Sequence, residues 1–293
     1  NISKLLYGLI KSIEKNKQQV TRDKRHNKAN CKINLGLHIV SKRADGYHNI
    51  ETIFYPIPLA DEVIIEPSET LQLHEEGILV GEDIEKNLVI KAYRLLEKKF
   101  HLPPVSITLT KHVPFGAGLG GGSSDASHTL LQLNDLFQLN LSKEQLAVYA
   151  AQLGADCAFF VYNTPMMATG IGTEFSALDL SLKGYYLALV KPNVFVSTAD
   201  AYRSVTPKEP TFSLQNLTST PIAAWKNVLV NQFEESVFAQ FPLIADVKQR
   251  LYNAGALYAS MSGSGSSVFG IFTEKPTLPT YADCEAQFVM QLP

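Results

Sequence analysis

The chain has 293 residues, 45% of them hydrophobic and 18% charged, which is enough apolar material to fold and too much for a disordered polypeptide. Lys and Arg number 26 against 28 Asp and Glu, a net charge of −2, so the overall balance does not suit a nucleic-acid or membrane binder held by electrostatics. The length fits two domains.

The charge is unevenly spread. Residues 1–28 hold eight Lys and Arg against only Glu14 and Asp23, leaving the remainder at about −8. Residues 1–26 therefore read as a basic extension outside the fold, with at most one short helix around Leu5–Ile13. The longest uncharged stretch, Leu251 to Thr273, is broken by four Gly and five Ser, which disqualifies it as a membrane span. Cys31, Cys157 and Cys284 lie far apart without a C-x-x-C pair. They indicate neither a disulfide framework nor a Cys-based zinc site, and a reducing cytoplasm is the expected location.

In chain order, Ile33, Leu35, Leu37 and Ile39 alternate with Asn34, Gly36 and His38, and the runs from Glu51 to Ile57 and from Val63 to Ile65 are β-branched or aromatic, so the folded region opens β-rich. Leu88, Ala92, Leu95 and Leu96 have helical spacing within Asn87–Phe100, and Val105–Thr110 returns to period two. A glycine-rich loop follows from Pro114 to Ser124, and behind it Ala126, Leu130, Leu133 and Leu136 outline a helix. Ser142 and Gln145 have the spacing of a capping box, which predicts a helix running to about Leu153 with Gly154 ending it. After a Pro/Gly-punctuated segment from Thr164 to Gly172, Tyr185–Pro192 reads as a buried strand, and a domain boundary is expected near residue 180. A helix over Leu243–Asn253 ends at Gly255, and Leu257–Ser260 and Val268–Phe272 make two short strands around a Gly/Ser loop from Ser262 to Ser267.

The first loop is the chemical signal. Five glycines fall within Gly116–Gly122, and each loses more backbone entropy on ordering than another residue would. Such a cluster suits a backbone that takes unusual dihedrals or closely approaches a ligand. Successive amides at the start of a helix make an anion nest, and phosphate is the natural guest. It is not a P-loop, since Ser123-Ser124-Asp125 follows the last glycine where Lys-Ser/Thr is required, and it lacks the acidic ribose ligand of a dinucleotide fingerprint.

The segment Pro114-Phe115-Gly116-Ala117-Gly118-Leu119-Gly120-Gly121-Gly122-Ser123-Ser124 resembles the ATP loop of the GHMP kinases, P-x-x-x-G-L-x-x-S-S/A. The early strand motif of that family is similar to Cys31-Lys-Ile-Asn-Leu-Gly-Leu, and its late Gly-rich motif to Ser262-Gly-Ser-Gly-Ser-Ser-Val-Phe-Gly. Lys32-Ile-Asn-Leu, Arg43-Ala-Asp-Gly-Tyr-His, the triple glycine and Leu153-Gly-Ala-Asp156 narrow the resemblance to the branch that phosphorylates the 2-hydroxyl of a cytidine-diphosphate-linked methylerythritol. It covers about residues 29–272.

The resemblance implies an α+β fold of two domains. Residues 27–180 would form an ATP-binding domain like a ribosomal-protein second domain, and residues 181–293 a ferredoxin-like domain. It implies Asp156 as general base with Lys32 as its cationic partner, although on the residues alone Asp156 reads as a helix N-cap and Lys32 as a solvated strand residue. By the same resemblance Tyr47 and His48 read the cytidine, with Tyr202 closing an aromatic sandwich, Thr198 near the diphosphate and Asn34 beside Lys32. Asn87 and Lys111 fall on the adenine side, Asn87 serving equally well as a helix N-cap. Asp125 stands where some members carry Asn, which leaves its contact open. ATP and Mg²⁺ are the implied cofactors, with no metal ligand assigned. A GHMP kinase for another small alcohol, such as mevalonate or homoserine, and a non-catalytic nucleotide-binding member of the family remain as alternatives.

Overall fold

The computed structural model describes residues 28–78 and 83–293, and the basic extension, with its short helix, lies outside the described residues. Ten strands occur among the described residues: β1 (Lys28–Lys42), β2 (His48–Pro67), β3 (Gln72–Gly77), β4 (Val105–Lys111), β5 (Met166–Thr169), β6 (Glu174–Ala177), β7 (Tyr186–Pro192), β8 (Tyr258–Met261), β9 (Val268–Phe272) and β10 (Cys284–Gln291). Between them run helices α1 (Leu88–Phe100), α2 (Gly121–Leu136), α3 (Lys143–Ala151), α4 (Cys157–Tyr162), α5 (Thr198–Ser204), α6 (Ile222–Val228), α7 (Phe233–Gln240) and α8 (Pro242–Asn253). The mixed helix and strand content and the two domains agree with the expected α+β class.

The chain divides into two interleaved compact units. The first holds Ala60–His112 and Gly122–Tyr162, and the second Asn30–Leu59, Val113–Gly121 and Asn163–Pro293. The division near residue 180 follows the linear order of the chain, whereas these units exchange segments at residues 59, 112, 121 and 162.

In the first unit the distal part of β2 pairs antiparallel with β4, Glu62 opposite Thr110, and β3 pairs parallel with β4 on its other side. β4 alternates buried and half-buried positions, the mark of a strand with one face in a core. Asn87 caps α1 through Oδ1, which accepts from Val89 N at 3.1 Å, and the helix buries Val89, Ile90, Ala92, Tyr93 and Leu96 along one stripe. His101 ends it in the left-handed region with φ 55°. The predicted capping box is formed, since Gln145 N donates to Ser142 Oγ and Ser142 N donates to Gln145 Oε1. α3 stops at Ala151, two residues short of the expected end.

In the second unit the proximal part of β2 pairs with β5, which pairs in turn with β6. A separate antiparallel sheet has the order β10-β7-β9-β8. One core gathers Ile33, Leu35, Ile53, Leu187, Leu189, Trp225 and Phe269, all essentially out of water, and another gathers Ile39, Val190, Phe233, Val247 and Leu251. Burying each such side chain contributes about 1.5–3 kcal/mol. No helix among the described residues is long and apolar enough to cross a membrane.

Candidate active site

The sequence-predicted residues fall in both units. In the second, Lys32 and Asn34 sit two apart on β1 and therefore point to the same face. Lys32 is 3% exposed. Its Nζ donates to Asn34 Oδ1 at 2.7 Å and to Gly118 O at 3.0 Å, and it stands 5.2 Å from the centre of the Phe54 ring. Asn34 is oriented by Thr52, whose Oγ1 accepts from Asn34 Nδ2 at 2.9 Å and donates to Gly36 O at 2.6 Å. That turns the asparagine oxygen toward the ammonium. The backbone adds a link, Lys32 N donating to Leu119 O at 3.0 Å, so the glycine loop is anchored on the strand that carries the lysine.

Pro114, Phe115, Gly116, Ala117, Gly118, Leu119, Gly120 and Gly121 belong to this second unit, while Gly122, Ser123 and Ser124 belong to the first. α2 begins at Gly121, inside the triple glycine. Gly116, Gly118 and Gly120 have φ of 59°, 74° and 71°, which L side chains rarely adopt. At Gly118 a Cβ would also lie 2.0 Å from Ser262 O, so the two Gly-rich loops require each other's bareness. Ser262 Oγ donates to Gly118 O at 2.9 Å and Ser267 N to Ala117 O at 3.2 Å. Gly118 O thus accepts from both Lys32 and Ser262.

Tyr47 is displayed by a turn whose chemistry is local. Asp45 Oδ1 accepts from Tyr47 N at 3.1 Å, Arg43 pairs with Asp45, and Gly46 has φ 88°. The Tyr47 ring is 62% exposed, a position no core explains. His48 stacks on Tyr202 with ring centroids 5.2 Å apart and planes at 23°, and burial followed by Lys42 lowers its pKa, which favours a neutral ring with one donor and one acceptor. Tyr202 in turn meets Phe233 edge-on. Tyr202 therefore covers His48 directly. Thr198 opens α5, and its Oγ1 lies 3.0 Å from Ser264 Oγ of the second Gly-rich loop. Sequence reasoning passed over Phe195, an exposed aromatic whose ring a Cβ on Gly116 would meet at 2.8 Å. Its one signal in the sequence was an aromatic between two valines in the run Pro192-Asn-Val-Phe-Val-Ser.

In the first unit Asp156 immediately precedes α4. The turn that carries it is tied to α2, because Ser127 Oγ donates to Cys157 O at 2.6 Å and to Ser123 O at 2.9 Å. Burial pushes the Cys157 thiol up to about 11, so it is no nucleophile. Ser124 is fully buried, its Oγ 3.3 Å from His128 Nδ1. Asn87 combines its capping bond with one from Nδ2 to Glu75 Oε1 at 2.9 Å.

Lys111 is 4% exposed and its ammonium contacts Asp61 and, at 2.7 Å, Asp125 Oδ2. Asp61 Oδ1 also accepts from His112 N at 2.6 Å. Burial works against the charged lysine, but Asp125 and Asp61 outweigh it and its pKa rises. Asp125, with Oδ1 buried and unpartnered, is pushed up to about 7 by burial, opposed by Lys111 and reinforced by Asp61. The open contact of Asp125 is thus an internal one, a second carboxyl on Lys111.

Known proteins supply the comparison. Residues 87–164 match the GHMP kinases N terminal domain and residues 221–279 the GHMP kinases C terminal domain. A Bacteroides fragilis protein named 4-diphosphocytidyl-2-C-methyl-D-erythritol kinase is 54% identical over 266 residues, 89% of this chain and 97% of its own. A Parabacteroides distasonis protein of the same name is 55% identical over 248 residues, 85% of this chain and 91% of its own. The crystal structure of a 4-(cytidine 5'-diphospho)-2C-methyl-D-erythritol kinase superposes with a TM-score of 0.72 at 33% identity, covering 83% of this chain and 88% of that one. Identity at this level, sustained over nearly the whole length of these relatives, leaves one conclusion: the chain belongs to the GHMP kinases, in the family of the 4-diphosphocytidyl-2-C-methyl-D-erythritol kinases.

Proposed function

We propose that this enzyme transfers the γ-phosphoryl group of ATP directly to the 2-hydroxyl of 4-diphosphocytidyl-2-C-methyl-D-erythritol, without a phosphoenzyme, as a step of non-mevalonate isoprenoid synthesis. The observation that carries the reading is the 54% identity to a curated kinase of that name over 97% of its length.

The chemistry asks for a base on the hydroxyl, positive charge near the transferring group and donors for the phosphates. Asp156 is assigned as the base. Lys32 is assigned as the cation that keeps the base ionised and offsets the spreading negative charge. What supports the lysine is its restraint, since a flexible ammonium fixed by Asn34 and Gly118 O has lost its rotational freedom before substrate arrives. The amides of Gly116 to Ser124 are assigned to the phosphates, Asn87 and Lys111 to the adenine side, Tyr47, His48 and Tyr202 to the cytosine, and Thr198 to the diphosphate. On that reading the buried Asp61–Lys111–Asp125 group forms part of the wall on the adenine side.

Mg²⁺ would arrive as the counterion of the ATP phosphates and neutralise their charge. No group of three or more His, Cys, Asp or Glu among the described residues could hold a metal. No protein ligand is assigned to it. The free cysteines Cys31, Cys157 and Cys284 support a cytoplasmic enzyme, and a linear division near residue 180 falls between the two matched family segments.

An ADP-release assay with MgATP and four alcohols at equal concentration tests the reading. Turnover is expected with the cytidine compound and not with mevalonate, homoserine or galactose. Turnover confined to one of the others would keep the kinase and remove the cytidine assignments, and ATP binding without any turnover would leave a nucleotide-binding protein.

A further inference from the structure

Asn231 lies outside every motif used above, yet it is 2% exposed and all its polar atoms are engaged. Its Nδ2 donates to Met261 O and to Gly263 O, both at 2.8 Å, and its Oδ1 accepts from Phe233 N at 3.0 Å. The backbone on either side is fixed to β1, Leu37 N donating to Val230 O and Gln232 N to Leu37 O, each at 2.9 Å. That is the strand of Lys32 and Asn34. Met261 and Gly263 flank Ser262, whose hydroxyl reaches the Gly118 carbonyl that also accepts from Lys32. One side chain therefore joins the lysine strand to the second Gly-rich loop, and that loop meets the lysine again at Gly118.

The residue type matters. Two carbonyls converging on one point repel unless a donor stands between them, and a neutral amide supplies two N–H groups in one plane while keeping an acceptor for Phe233. Aspartate would place negative charge against two carbonyl oxygens, and alanine would leave both buried and unpaired. Gly263 takes φ +57°, a conformation glycine adopts freely.

We infer that Asn231 is a positioning residue for phosphoryl transfer, holding the Ser262–Ser267 loop so that Gly118 O and the Lys32 ammonium keep their geometry. The inference rests on the role given to Lys32 above. Tyr55 is the control, since it too is buried and its hydroxyl accepts from Leu182 N at 2.9 Å, a bond that reaches neither the loop nor Met261.

Asn231→Ala, Asn231→Asp and Tyr55→Phe are compared by steady-state kinetics, melting temperature and amide hydrogen exchange. Asn231→Ala is expected to lower kcat about 10–100-fold, the scale of a small misplacement of a reacting group, with KM for MgATP and for the alcohol within about threefold. Asn231→Asp should be slower again, and Tyr55→Phe, which leaves the buried Leu182 N–H unpaired, should keep its kcat at a comparable loss of melting temperature. Exchange should rise at residues 116–121 and 262–267 in Asn231→Ala alone. Retention of kcat within about twofold in Asn231→Ala, or an equal loss in Tyr55→Phe, would overturn the inference. Should wild type fail to turn over the cytidine compound, the functional reading falls, and exchange decides the inference alone: unchanged protection of both loops in Asn231→Ala sinks it.

Discussion

Asp156→Asn should lower kcat about a thousandfold, within the 10²–10⁴ range of a lost general base, while the dissociation constants for ATP and for the cytidine substrate stay within about threefold. The substitution is nearly isosteric and removes the negative charge together with the ability to take a proton. The turn that carries residue 156 does not depend on its carboxylate for the bonds from Ser127 to Cys157 O and Ser123 O, so folding should survive. Calorimetric titration of ATP and of substrate, together with single-turnover rates, separates binding from chemistry. A variant that keeps kcat within about tenfold would remove Asp156 from the mechanism. One that loses both kcat and substrate binding would make it a binding group instead. Lys32→Met should also lose kcat, and in addition it removes a donor from Gly118 O, so a KM effect for ATP is expected there and not for Asp156→Asn.

The fold was legible where side-chain period was strong. The alternation from Ile33 to Ile39, the helical stripe from Leu88 to Leu96 and the Ser142–Gln145 cap all occupy the elements they predict. β10 was not foreseen, because its residues are mostly half-buried and it gains its place by pairing with β7, from Cys284 opposite Pro192 to Gln291 opposite Tyr186. Pairing across some hundred residues leaves no local mark. The interleaving of the two units was hidden for the same reason, since the runs Glu51–Ile57 and Val63–Ile65 lie in one strand, β2, whose two ends serve different units.

At the site, composition and spacing pointed to a phosphate loop, while Lys32 and Asp156 stood out only through a family resemblance. Each alone is an ordinary charged residue. Asp61 and Asn231 gave no signal at all. Asp61 reaches Lys111 because the β2–β4 register that sets Glu62 opposite Thr110 carries the preceding residue to the following one. Asn231 matters through two carbonyls thirty residues away. Buried polar groups of this kind are chosen by tertiary geometry, which hydropathy does not encode.

Asp125→Asn should make the protein more stable at pH 8 than wild type, and the advantage should vanish near pH 4. Two carboxyl groups share one buried ammonium, so the fully ionised cluster has an unbalanced charge, and Asp125 Oδ1 is left without a partner. Burial, with Asp61 adding to it and Lys111 opposing, raises Asp125 from its ordinary 3.8 to about 7. A carboxyl raised on folding favours the folded state while it is protonated. Its contribution is therefore complete below about pH 4 and is lost as pH climbs through about 7. Across pH 5 to 8 the loss is on the order of 2–3 kcal/mol, at about 1.4 kcal/mol for each pH unit over which the proton is released. Asparagine keeps the shape, supplies a permanent donor toward Asp61 in place of that proton, and leaves Asp61 and Lys111 as a neutral pair. Melting curves for both proteins at half-unit steps should therefore diverge with rising pH, by about 5 °C at pH 8. Parallel curves would mean that Asp125 is ionised throughout and that Lys111 holds two anions at once.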